Sequence, residues 1–288
     1  ICCDYTNIVE EKPITLNKIN SILDLHPNKI NILENKKYNH KLAIGIPSKQ
    51  SGLIAFDSLN DSCKALEKKE IDVLVTAPID KYQIRRSINN FIGHTEFLES
   101  KFLGSSLMMM ISSIMKIAFV TGHIPLSEVS TSITEENIIE KAKRLNNSLI
   151  TDFNILKPKI AILGLNPHSG ENGMLGKEED HIILPAINTI NKKYNILAKG
   201  PFPADSFFTN DNLSLYDGIL AMYHDQGLIP FKALSFSDGV NFTAGLNIIR
   251  TSPVHGVAYD IGATGNANEK SFKSAVISAC QILKTRDS

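Results

Sequence analysis

The chain has 288 residues, with thirty basic and thirty acidic side chains, a formal net charge of zero, 43% hydrophobic and 21% charged residues. That balance excludes a disordered chain or a coiled coil and gives no basic footprint for nucleic acid or an anionic membrane. No stretch reaches the roughly 18 apolar residues of a membrane span; the longest, around Leu107 to Val120, is broken by Ser112, Ser113 and Lys116. Cys2, Cys3, Cys63 and Cys280 form no C-x-x-C pair, so a reduced, cytoplasmic protein is expected. The opening Ile1-Cys2-Cys3-Asp4 reads like a strand already under way, without an initiating Met, and the expectation is that the true N-terminus is missing.

In chain order, Lys41 to Ile46 is a short apolar run closed by Pro47. Ser51 to Glu70 has helical period, its stripe formed by Leu53, Ile54, Phe56, Leu59, Cys63 and Leu66. Asp72 to Pro78 is predicted as a buried strand, and Leu107 to Ile111 and Lys116 to Thr121 as two neighbouring strands. Thr134-Glu135-Glu136 caps and charges a helix running to about Asn147. Strands are predicted at Lys159 to Leu165, Asp217 to Tyr223 and Leu246 to Ile249, and helices at Glu178 to Lys193 and Glu269 to Lys284. Strand, loop and helix at this pitch predict an α/β fold with parallel strands joined by crossovers.

Polar residues gather just beyond the strand ends, where open α/β sheets bind ligands. His123, His168 and His224 each follow a strand. Three imidazoles there either converge on one divalent ion with an open position or serve as structural histidines, and their long spacings do not decide between the two. His26, His40 and His181 read as surface histidines. Gly93-His94-Thr95-Glu96 opens a helix and suits an anionic group, although on sequence alone a plain helix capped by Thr95 is the better account. Lys232, Asn241 and Arg250 are spaced nine residues apart, and Arg250 is one of only five arginines; the set reads either as an anion clamp or as solvated cations. No G-x-G-x-x-G follows a strand, which leaves an ordinary Rossmann site unsupported; no G-x-x-x-x-G-K-[ST] occurs, which removes P-loop chemistry, and no G-x-S-x-G, which weakens a serine hydrolase.

Eight blocks in order resemble the 4-hydroxythreonine-4-phosphate dehydrogenase (PdxA) family. They are Thr76-Ala77-Pro78-Ile79-Asp80-Lys81, Gly93-His94-Thr95-Glu96-Phe97, His123-Ile124-Pro125-Leu126 and Gly164 to Glu171, then Gly200 to Asp205, Ala221 to Gly227, Val240 to Thr243, and Ile249 to Ser252. The resemblance implies two α/β/α domains with a cleft, like isocitrate and isopropylmalate dehydrogenases, in a homodimer. One domain is expected from 1–90 with about 232–288, the other from about 91–231. Carried over by position, the metal ligands fall on His123, His168 and His224, and the substrate contacts on His94, Thr95, Lys232, Asn241 and Arg250. Asp205 is the candidate for proton transfer or histidine orientation, with Lys232 a second catalytic candidate. In Asp260 to Asn266 the residues Gly262, Gly265 and Asn266 are expected to contact the dinucleotide, although the family usually has a basic residue where Thr264 stands. The family's opening Gly/Pro-rich segment has no counterpart here.

The implied reaction oxidises 4-phosphohydroxy-L-threonine with NAD or NADP to a β-keto acid that loses CO₂ to give 3-amino-2-oxopropyl phosphate, a step of pyridoxal phosphate biosynthesis. The implied cofactors are that dinucleotide and a divalent ion, Zn²⁺, Co²⁺ or Mg²⁺. Competing readings are a sister dehydrogenase acting on 4-phosphothreonate or 4-phosphoerythronate, and a three-histidine metal hydrolase that needs no dinucleotide. The ligands are expected to be shared between subunits, with His123 and His168 close together in one chain and His224 well away from them.

Overall fold

The computed structural model describes residues 16–33, 43–262, 264 and 266–288. In chain order these form β1 (Leu16–Ile19), β2 (Ile30–Leu33), α1 (Lys49–Glu67), β3 (Leu74–Val75), α2 (Lys81–Arg85) and α3 (His94–Glu99). Then follow β4 (Gly104–Ile111), β5 (Lys116–Phe119), α4 (Leu126–Ser132), α5 (Glu135–Thr151), β6 (Lys159–Leu163), α6 (Leu184–Tyr194), β7 (Leu197–Phe202), α7 (Ala204–Phe207) and α8 (Asn210–Leu215). The last elements are β8 (Gly218–Ala221), α9 (His224–Ser235), β9 (Val240–Leu246), β10 (Arg250–Pro253) and α10 (Lys270–Arg286). The strand expected at the opening cysteines, and the first residues of the run expected from Lys41, lie outside the described residues.

The chain divides into two compact units. The smaller takes in residues 1–72, 78–101 and 255–268. Within it β1 and β2 pair in parallel. α1 starts on a reciprocal Ser48–Ser51 capping box and packs on α2. Gly52 makes that approach possible, because a Cβ there would lie 2.5 Å from the Gln83 carbonyl carbon. Phe56, Phe91 and Phe97 form an edge-packed trio behind it.

The larger unit comprises residues 73–77, 102–254 and 269–288 and holds an eight-stranded sheet ordered β3-β10-β9-β4-β5-β8-β6-β7. Side chains alternate between the faces with period two. Leu107, Met109, Ile111, Ala118, Ile160 and Ile162 point to the face covered by α5, α6 and α10. Met110, Ile117, Phe119, Ala161 and Leu163 point to the opposite face, where α7 to α9 lie with Phe207, Leu213 and Phe231. Arg286 and the buried Asp152 join α10 to the end of α5 at 2.7 Å.

The fold is α/β as expected, but its sheet is mixed. β5, β8, β6 and β7 run parallel, whereas β4 is antiparallel to β5 and β9, and β9 is antiparallel to β10. The turn at Ser112 to Met115 is a tight hairpin and not a crossover, closed by Ser112 N–H donating to the Met115 carbonyl at 2.9 Å. The strand predicted at 246–249 is displaced: β9 stops at Leu246 and Arg250 opens β10. Residues 232–254 and 269–288 group with the sheet.

Candidate active site

β5 and β8 are adjacent and parallel, and their pairing continues past the strand ends through Val120 N–H to Ala221 O at 2.9 Å and Thr121 N–H to Met222 O at 3.1 Å. The segments that follow therefore emerge side by side. The rings of His123 and His224 lie 4.9 Å apart, centroid to centroid, and Phe119 stacks on His224 at 5.8 Å. His224 is the first residue of α9, and its Nδ1 lies 2.6 Å from Asp225 Oδ1. With Nδ1 so engaged, Nε2 is the nitrogen turned to a ligand, which is how a carboxylate orients a metal-binding imidazole.

The expected pairing is therefore corrected. His123 neighbours His224 within one chain, and no group of three or more His, Cys, Asp or Glu that could hold one ion occurs among the described residues. The reason is the strand order, in which β8 lies between β5 and β6. His168 leaves the end of β6 through Pro167 and an unusual turn. The five residues from His168 to Asn172 all have positive φ, from 44° to 80°. Left-handed backbone costs about 1–2 kcal/mol per L-residue, so surrounding bonds must hold it. Two imidazoles, one oriented by a carboxylate, fit part of a first-row transition-metal donor set.

The loop after β6 folds around Glu179, which is 3% exposed. Its carboxylate accepts from Leu165 N–H at 2.7 Å, Asn166 N–H at 2.8 Å and Asn166 Nδ2 at 2.9 Å. Asn166 Nδ2 also donates to Glu178 at 2.8 Å. Backbone and Asn166 hydrogen bonds hold the Glu178 carboxyl below its usual pKa range. Gln226 spans the strand ends, accepting from Met222 N–H at 2.7 Å and donating to Gly164 O at 2.6 Å. Sequence reasoning passed over both. Glu179 reads as an ordinary acidic residue near a helix start, and Gln226 signals itself only by lying two residues after His224.

Arg250 is buried at 4% exposure. Its Nε and Nη2 donate to Thr76 Oγ1 and its Nη1 to Thr243 Oγ1. The other arginines hold protein groups: Arg85 the Phe91 carbonyl, Arg86 the Gln83 side chain, Arg144 Glu140 and the Ser106 carbonyl, Arg286 Asp152. Asn241 shares a face of β9 with Thr243, and its buried Oδ1 has no hydrogen-bond partner. An orphaned buried amide beside a buried guanidinium suits a polar ligand. Lys232 lies half-buried in the last turn of α9, and Asp205 is exposed in α7.

In the smaller unit His94 is the first residue of α3, followed by Thr95, and both are half-buried. The cap is Gly93 and not Thr95, with no side-chain cap bond. Tyr259 donates to Asp80 Oδ2 at 3.0 Å, and burial together with Asp80 pushes its pKa up to about 12. Of the expected dinucleotide loop, Gly265 lies outside the described residues. Gly262 closes on Gly45, where a Cβ would come within 2.9 Å of Gly45 Cα, so its lack of a side chain already has a packing reason. Asn266 N–H donates to Thr264 Oγ1 at 3.3 Å. A surface hollow of about 390 Å³ lined by Glu136, Lys143 and Tyr194 lies on α5 and α6, and none of the expected site residues lines it.

A family model described as pyridoxal phosphate biosynthetic protein PdxA matches residues 3–279. The 4-hydroxythreonine-4-phosphate dehydrogenase of Bacteroides thetaiotaomicron is 42% identical over 271 residues, covering 93% of this chain and 74% of its own. That of a Sulfurihydrogenibium species is 39% identical over 274 residues, covering 95% of this chain and 84% of its own. The crystal structure of the Klebsiella pneumoniae enzyme of that name superposes with a TM-score of 0.81 at 30% identity, covering 96% of this chain and 86% of its own. A terephthalate 1,2-cis-dihydrodiol dehydrogenase from Burkholderia xenovorans has the same fold at 21% identity and a TM-score of 0.61, covering 93% and 83%.

Proposed function

The chain belongs to the PdxA family of pyridoxal phosphate biosynthetic proteins, and on that premise we propose that it is an NAD(P)-dependent, divalent-metal-dependent 4-hydroxythreonine-4-phosphate dehydrogenase. It oxidises the secondary hydroxyl of 4-phosphohydroxy-L-threonine to a β-keto acid, which then loses CO₂. The observation that carries this reading is the His123–His224 pair at the ends of two adjacent parallel strands, with Asp225 on Nδ1 of His224. His168 is the third proposed donor, brought in by the loop after β6.

When bound, the cation supplies Lewis-acid stabilisation to the substrate oxygen as its proton leaves. Asp225 fixes the His224 ring, and the sheet fixes where both imidazoles emerge. Arg250 and Asn241, with Lys232, His94 and Thr95, bind the anionic groups of the substrate. Arg250 can do so without reorganising, because Thr76 and Thr243 already orient its guanidinium. Asp205 is the proposed proton carrier. Gly262, Gly265 and Asn266 are the proposed contacts for the dinucleotide, which accepts the hydride.

The homodimer, with the site between subunits, and the isocitrate dehydrogenase-like layout of 1–90 with 232–288 against 91–231 belong to the same proposal. Exposed apolar side chains near each histidine support an interface there: Leu126, Met174 and Ile229 are 74%, 80% and 66% exposed. The experiment is NAD⁺ and NADP⁺ reduction with 4-phosphohydroxy-L-threonine before and after chelation. Turnover that is lost on chelation and restored by Zn²⁺ or Co²⁺ is the expected result; full turnover in metal-stripped buffer would overturn the metal dependence.

A further inference from the structure

We infer that Glu179 is the positioning residue of the His168 loop: its buried carboxylate holds the left-handed turn that presents the His168 imidazole, and so sets how tightly the site takes a divalent cation. The inference rests on the metal reading proposed above and assigns a residue to it that no sequence motif marks.

A run of six positive-φ residues, His168 to Gly173, persists only if its surroundings over-determine it. The turn itself is closed by backbone bonds, Ser169 N–H to the Asn166 carbonyl and Leu175 N–H to the Gly170 carbonyl, both at 3.1 Å, and the segment from which it starts is held by one side chain. Glu179 Oε1 accepts from the backbone N–H groups of Leu165 and Asn166, and Oε2 from the Asn166 side chain. Leu165 and Asn166 lead directly into Pro167 and His168. The loop is also shaped to this carboxylate from its far side. A Cβ on Gly170 would lie 2.7 Å from Glu179 Oε2, and one on Gly164 would lie 3.2 Å from Oε1. Glu179 itself opens a π-helical turn, Glu179–Ile183, a local widening that is frequent at functional sites. A second anchor, Ser169 Oγ on the Pro201 carbonyl at 3.1 Å, ties the turn itself to the end of β7.

None of these bonds involves the His168 ring, so Glu179 acts through the backbone. Glu179→Gln keeps the shape but sets an amide donor against the Asn166 Nδ2 donor, which is already committed to Glu178.

The test is Co²⁺ titration of the full chain, followed by the visible absorption of the bound ion. It compares wild type with Glu179→Gln, His168→Ala and Ile190→Val, a fully buried core position on α6 that serves as a destabilised control. Glu179→Gln is expected to weaken Co²⁺ binding by about tenfold or more, towards the affinity of His168→Ala, and to change the absorption band, because a displaced His168 backbone moves the imidazole. Ile190→Val is expected to bind as wild type. Wild-type affinity in Glu179→Gln, or an equal loss in Ile190→Val, overturns the inference. Wild-type affinity in His168→Ala overturns the metal reading instead, and a wild type that takes up no Co²⁺ overturns both. Should Glu179→Gln fail to fold, Glu179→Asp keeps the charge but draws the carboxylate back by one methylene from the Leu165 and Asn166 N–H groups. It is expected to lose affinity in the same direction, and wild-type binding there overturns the role of Glu179.

Discussion

The Arg250 guanidinium rests on the Thr76 hydroxyl, with Nε at 3.0 Å and Nη2 at 2.7 Å from the same Oγ1. Thr76 follows β3 and Thr243, which takes Nη1 at 3.1 Å, lies in β9, so the two strands flanking β10 hold the arginine from both sides. A hydroxyl orients a guanidinium without cancelling its charge. Thr76→Val keeps the side-chain volume but removes the acceptor of two hydrogen bonds from a buried guanidinium, and a loss of about 1.5–3 kcal/mol in urea unfolding is expected. If Arg250 grips an anionic group of the substrate, KM rises about tenfold while kcat holds, because the lost orientation weakens binding of substrate and transition state alike. Wild-type stability and KM in this variant would leave the threonine pair without a role.

Asp225 is exposed at 69% of its side chain, so its contact with His224 contributes little to folding. Asp225→Asn is expected to leave the unfolding midpoint within error of wild type and to weaken Zn²⁺ or Co²⁺ binding by roughly 10–100-fold, because the imidazole loses its charged orienting partner. Calorimetric titration of the full chain checks this. Unchanged affinity would show that Phe119 stacking alone holds the ring.

Some of the site's features were legible and others were not, for identifiable reasons. His123 and His224 stood out because each follows an apolar run, and Arg250 because arginine is scarce. Which histidines would meet was not legible. Strand order is set by long-range pairing, and β8 enters the sheet between β5 and β6 although it follows both in sequence. Strand direction was hidden for a related reason, since Leu107 to Ile111 is apolar on both faces and reads the same in either direction. Glu179 was invisible because its partners are backbone N–H groups, which no side-chain pattern records.

In the smaller unit, Tyr259 donates to Asp80, and its pKa is raised to about 12. A tyrosine ordinarily titrates near 10, so the folded state prefers the neutral phenol. The stabilisation is fully present below about pH 10 and is lost as pH rises through about 12, where a phenolate would face the Asp80 carboxylate. Wild type should therefore lose stability over that window relative to Tyr259→Phe, while at neutral pH it should be the more stable of the two. Chemical denaturation of both proteins at neutral and alkaline pH reads the difference. A stability gap that stays constant with pH would mean that the bond to Asp80 does not form in solution.

Gln226 ties the end of β6 to the end of β8, accepting from Met222 N–H and donating to Gly164 O. Only a group with both an acceptor and a donor can do this. Gln226→Glu keeps the acceptor, but when ionised it sets a carboxylate against the Gly164 carbonyl oxygen. When protonated, the introduced carboxyl can donate to that carbonyl as the amide does. The folded state therefore favours the protonated form and raises the pKa of the new group above the roughly 4.3 of an unfolded glutamate. The bracket it restores is fully present below that value and is lost as pH rises through the folded-state value. At neutral pH the variant should be less stable than wild type by about 1–3 kcal/mol, the cost of a buried polar contact left unmade. The deficit should shrink as the solution is acidified towards pH 4. Gln226→Ala should show a similar deficit that does not change with pH, since it carries no proton to restore. Parallel denaturation curves for the three proteins at two pH values measure this, and a glutamate variant whose deficit ignores pH would show that the Gln226 amide does not bridge the two strand ends.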